Sequence, residues 1–165
     1  MTIFKPFIMK TTLIISFLIF VSSTIYSQVL KYNDLVTIFK FKQLSDVDDY
    51  MTLKGYTYIE SKNEDIYTTQ QWQFINNDNK IWAIMRVLNG EKRTWITYSL
   101  SNQQIALSIK NEIKQLGYKL ILSKEVNGRI ITIYSSLKYK ITFLKEPSET
   151  QINLMSIKDR SAYEN

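Results

Sequence analysis

"QLGYKLILSK" at residues 115–124 and "LKGYTYIESK" at residues 53–62 share a Gly-Tyr pair, an Ile three residues after the Tyr, and a Ser-Lys ending. The phrases stand 62 residues apart, and the residues around each of them have the same grammar. Before the second, Ile105, Ile109, Ile113 and Leu116 recur at spacings of four, four and three, which draws one apolar stripe along a helix. Gly117 then sits where a left-handed C-terminal cap belongs. Before the first, Leu44, Val47 and Met51 make a weaker stripe on a shorter helix, closed in the same way by Gly55. Ser45 and Asp48 have the spacing of a capping box, and Asp46, Asp48 and Asp49 favour the positive end of that helix. Upstream, "NDLVTIFKF" predicts a further helical turn or two beginning at Asn33 or Asp34.

After each Gly the period changes from helical to alternating, and turn residues divide the remainder of each half into short strands. The first half predicts strands at about 56–62, 65–75, 80–88 and 93–100, with turns at Asn76-Asn77-Asp78-Asn79 and Asn89-Gly90. The second predicts 118–126, 129–136, 138–144 and 150–157, with Asn127-Gly128 as a two-residue hairpin. The expected fold is therefore α+β, two tandem repeats of a helix followed by a four-stranded antiparallel sheet. A helix covers one face of such a sheet and leaves the other to water, to the second unit, or to a partner.

Residues 1–27 read as an export signal. Lys5 and Lys10 give a positive start, Leu13 to Val21 is apolar apart from Ser16, and small or polar residues come next. The run falls short of the ~20 apolar residues of a membrane span. Cleavage is expected after Ser27 in "STIYSQ", with Ser23 the other small-residue candidate and an uncleaved anchor the alternative. The domain organisation is then 1–27 signal peptide, 28–100 first repeat and 101–165 second repeat, sharing one compact body, in a protein exported to the periplasm or secreted. The polar tail "IKDRSAYEN" is expected to fray, with Tyr163 free to tuck back.

The formal charge of +6 falls to +4 without the two leader lysines, and the surplus is spread along the chain without forming a run. Phosphate backbones are gripped by clustered Lys and Arg, so nucleic acid is not the expected partner. The chain has no Cys and no His. Ser-His-Asp and Cys-His nucleophile pairs are thereby excluded, as are zinc or copper sites built on either ligand. The Asp46, Asp48 and Asp49 cluster lacks the Gly-permitted turn of a calcium loop, and a capped helix explains it. No metal and no cofactor are expected.

Two patterns carry chemistry. Glu60 stands in a strand where the second repeat has Leu122, on the side of Tyr56 and Tyr58, and is the candidate acid of a carboxylate-only hydrolase. An edge residue facing water is the plainer reading. In "KIWAIMRVL", Ile81, Ala83, Met85 and Val87 form one face, assigned to the core because it is uncharged. Trp82, Ile84, Arg86 and Leu88 form the other, marked as wet by the Arg. In the next strand Ile96, Tyr98 and Leu100 suit the core, which sends Arg93, Trp95 and Thr97 outward. Strand 65–75 buries Ile66, Trp72 and Phe74 and leaves Tyr67, Gln71 and Gln73 outside. The open face thus collects Tyr67, Trp82, Arg86, Arg93 and Trp95, residue types that dominate binding hot spots. These rings could equally pack across strands or cover the joint between repeats.

A leader ending before Gln, followed by a short helix-GY-strand protein, resembles small exported proteins of Bacteroidota to which no activity attaches. The tandem helix-plus-four-strand layout with an aromatic open face also resembles the secreted β-lactamase inhibitor family. That second likeness is one of layout: the family's disulfides are absent, and none of its contact residues aligns here. It implies a protein-binding surface. The expected function is an exported, non-catalytic module that recognises another envelope or secreted protein through the aromatic and Arg face. Carbohydrate or lipid capture is the alternative, and a carboxylate-only hydrolase the third.

Overall fold

The computed structural model describes residues 29–63, 67–75, 81–89 and 93–156, without the side chains of 81–83, 85–89, 93 and 94. The expected leader, the turns at 76–79 and 90, Ile66 and the tail lie outside the described residues. The elements run α1 (Tyr32–Lys40), α2 (Leu44–Leu53), β1 (Thr57–Asn63), β2 (Thr68–Ile75), β3 (Ile81–Asn89) and β4 (Arg93–Leu100). They continue with α3 (Gln103–Gln115), β5 (Lys119–Val126), β6 (Arg129–Ser135), β7 (Tyr139–Lys145) and β8 (Thr150–Ser156). The fold is α+β and its strand pairing is antiparallel throughout.

Both glycine-capped helices end as their sequence dictates. At the end of α2, Tyr56 N–H donates to the Met51 carbonyl at 2.9 Å and Gly55 N–H to Thr52 at 2.9 Å. At the end of α3, Tyr118 N–H donates to Ile113 at 3.1 Å and Gly117 N–H to Lys114 at 3.0 Å. This is the six-to-one and five-to-two bonding of a Schellman cap, which needs positive φ at the Gly: +82° at Gly55 and +81° at Gly117. The strands leaving the two caps match as well. Tyr58 faces Trp72 across β1–β2 and Leu120 faces Tyr134 across β5–β6, and each pair has a bulge one residue later, at Ile59 and Ile121. Asn127 (φ 52°) and Gly128 (φ 75°) make the tight hairpin between β5 and β6.

The eight strands form one sheet in the order β1-β2-β3-β4-β8-β7-β6-β5. Two meanders therefore meet at β4–β8, where Ile96 faces Leu154 and Tyr98 faces Ile152. These four side chains are buried, and they are continuous with Leu35, Ile38, Val47 and Met51 from α1 and α2 and with Ala106, Ile109 and Ile113 from α3. All three helices bury into this one face of the sheet. α3 departs from its expected stripe at one end: Ala106 is buried, whereas Leu116, in the Schellman turn, is 55% exposed.

Asp34 and the Tyr56–Tyr98 pair are matched inside the core, whereas Gln70 Oε1 and Ser101 Oγ are buried without a hydrogen-bond partner among the described residues. Asp34 Oδ1 accepts from the Tyr50 hydroxyl at 2.5 Å and pairs with Lys54 Nζ at 2.9 Å, while Oδ2 accepts from Lys31 N–H at 2.7 Å. Burial alone would raise the Asp34 carboxyl, but those three donors outweigh it and hold the group below the usual carboxylate range. The hydroxyls of Tyr56 and Tyr98 share a hydrogen bond at 3.1 Å, and burial pushes Tyr98 up to about 12. α2 starts differently from expectation. Its N-cap is Gln43 with no side-chain bond, and Asp48, expected as half of a capping box, accepts from Trp72 Nε1 at 2.9 Å. A fully buried indole needs an acceptor, and that demand outranks the cap.

Candidate functional site

The sheet face turned away from the helices is the surface where the sequence places the function. β4 presents Trp95, Thr97 and Ser99 there, half-buried, in alternation with buried Ile96, Tyr98 and Leu100. The register carries these rows across the sheet. Trp95 lies beside Met155, Thr97 beside Asn153 and Ser99 beside Gln151. Tyr67, just before β2, brings its ring to 6.4 Å from that of Trp95 at an interplanar angle of 52°. Met155 is 41% exposed beside them. An aromatic and thioether patch therefore occupies one end of the face. From it run polar rows, in which Thr97 Oγ1 donates to Asn153 Oδ1 at 2.6 Å and Thr142 continues the line on β7.

The structure brings Tyr67 and Trp95 together, and on β3 it places Ile84 on the face opposite to the one expected. Ile84, assigned outward, is fully buried between Trp72 and Tyr98, its partners on β2 and β4. A strand alternates faces, so positions 82 and 86 share the row parity of Ile84. Position 82 lies opposite Phe74, and position 86 between Gln70 and Ile96. Position 93 keeps the parity of Trp95 and lies opposite Asn89. The side chains of Trp82, Arg86 and Arg93 are outside the described residues. In the sequence Arg86 marks its face as wet. The backbone register instead sets Ile84 opposite two buried aromatic residues, Trp72 and Tyr98.

Glu60 also changes sides. The bulge at Ile59 places it opposite Gln71, away from the Tyr58–Trp72 row, and its carboxylate pairs with Lys62 at 2.7 Å. It reads as an edge-strand ion pair. Among the described residues no group of three or more acids is placed to hold a metal ion. No helix among them is long and apolar enough to cross a membrane.

Residues absent from the expected site but present on this face are Met155, Asn153, Thr142 and Gln151. The alternation of Gln151, Asn153 and Met155 with Thr150, Ile152 and Leu154 carries that signal. It does not reach the site from sequence, because nothing there says that β8 adjoins β4. Comparison with protein-family models, with curated proteins and with solved structures finds no match to this chain.

Proposed function

We propose that the chain is a duplicated helix-plus-four-strand unit acting as an exported, non-catalytic binding module, whose partner is another protein engaged by the open sheet face. The observation that carries this is the Tyr67–Trp95 ring pair beside exposed Met155, on a face that the three helices leave uncovered. Aromatic and Met side chains are enriched where protein surfaces meet, and the flanking Thr97, Asn153 and Gln151 supply the polar rim. Duplication rests on the Schellman caps, bulges and Tyr58–Trp72 and Leu120–Tyr134 registers, all repeated at a spacing of 62 residues. Export rests on the reading of residues 1–27 as a leader.

The test is affinity capture from the envelope and medium of the native organism, with wild-type protein and a Trp95→Ala/Met155→Ser variant as baits. One stoichiometric protein recovered by wild type and lost with the variant, at unchanged circular dichroism, is the expected result. A partner retained by the variant would remove the assignment. A second reading, carbohydrate capture, has one observation in its favour: amide and hydroxyl rows beside a Trp ring suit sugar hydroxyls. A glycan array that binds wild type and not Trp95→Ala, with no protein recovered, would select it.

A further inference from the structure

On the opposite face, α3 does not lie flat against the second meander. A groove of about 320 Å³ runs between the helix and strands β6–β8. Its walls include Ala106, Leu107 and Lys110 from the helix and Ile130, Phe143 and Lys145 from the sheet. Phe143 is a buried apolar floor, whereas Leu107 and Ile130 stand at the rim 49% and 44% exposed. The hydroxyl-bearing Thr132 and Thr150 are buried along the same groove.

The charge of this groove is unbalanced. Lys110 sits 5.8 Å from the centroid of the Tyr134 ring, and Lys145 lies in the same helix-facing row as Thr150 and Ile130. Among the described residues neither lysine has a carboxylate partner. The acids of the adjoining turn are committed elsewhere, Glu146 to Arg129 at 3.1 Å and Glu149 to Gln151 at 3.1 Å. Burial, with Lys114 and Lys145 nearby, depresses the Lys110 ammonium below its ordinary value, which is the signature of a cation lacking an anion.

We propose that this groove binds an amphipathic monoanion, a carboxylate on an aliphatic body, with the carboxylate held between Lys110 and Lys145. The aliphatic body covers Leu107, Ile130 and the Phe143 floor, which an inorganic anion would leave wet. The carboxylate supplies the charge that the surrounding side chains withhold. This site is independent of the open-face reading, since it lies on the other side of the sheet.

Isothermal titration of the purified protein with decanoate tests it, with decanol, decyltrimethylammonium, acetate and phosphatidylglycerol vesicles as parallel titrants. Saturable one-to-one binding of decanoate, at least tenfold tighter than any of the other titrants, is expected. Lys145→Gln and Lys110→Gln should each weaken decanoate by roughly three- to tenfold. Lys110→Arg should restore it, which separates lost charge from lost packing on Tyr134. Decanol binding as well as decanoate, acetate binding as well as decanoate, uptake by vesicles alone, or no heat from decanoate would each overturn the proposal.

Discussion

Asp34 shows what a single residue does here. It sits in the first turn of α1, where a carboxylate suits the helix dipole, and it gathers Lys31 N–H, the Tyr50 hydroxyl and Lys54. One side chain thereby fixes the start of α1 against the end of α2. Asp34→Asn keeps the shape and removes the charge, leaving Lys54 and Tyr50 facing a weaker acceptor. Charge-assisted hydrogen bonds are worth about 1.5–3 kcal/mol each and are not additive, so a loss of about 2–4 kcal/mol is expected in urea unfolding at neutral pH. The pH dependence has a definite sign. The folded carboxyl titrates below its unfolded value, so its contribution is fully present above the unfolded value of ~4 and disappears as pH falls through the folded one. Wild type should therefore converge on Asp34→Asn in acid. Two unfolding midpoints that fall in parallel from pH 7 to pH 2 would show that the ionisation of Asp34 contributes nothing.

At the scale of elements, local chemistry decides the ends and pairing decides the faces. Gly117 has φ +81°, and a Cβ built there meets nothing within 4 Å. The cost of Gly117→Ala is then left-handed strain alone, about 1–2 kcal/mol, and Gly117→Asn should cost less. Equal stability of wild type and the alanine variant in thermal unfolding would mean that the cap refolds without positive φ. These caps, the Asn127-Gly128 hairpin and the strand spans are legible because turn and cap residues act on their immediate neighbours. The faces of β3 are not. Both of its alternate sets are apolar apart from Arg86, so the choice depends on register with Trp72 and Tyr98, which no local pattern encodes. Glu60 misleads for a related reason. One extra residue at the bulge shifts the alternation by one, and Ile59 reads in sequence as an ordinary strand residue. Of the candidate contact surface, Tyr67 and Trp95 are therefore readable, and the β8 residues beside them are not.

For the whole molecule the seam at β4–β8 is decisive. The buried row Trp72, Ile84, Tyr98, Ile152 and Phe143 crosses it without a break, and α1 and α3 lie against the central strands. Neither meander closes its own core at this line. Tyr32 in α1 shares a 2.5 Å hydroxyl bond with Tyr118, the residue before β5, and so ties the first half to the second. The two halves should consequently unfold as one cooperative unit, although the sequence writes them as two. Ile152→Ala, at the seam, opens a cavity in the shared row and should cost about 2–5 kcal/mol. If the body is single, that loss lowers amide exchange protection in β2 and in β6 by the same amount, because both amides exchange only through global opening. Protection that falls in β6 and β7 while β2 keeps its wild-type rate would mean two separately stable meanders joined edge to edge, and the first would then survive without the second.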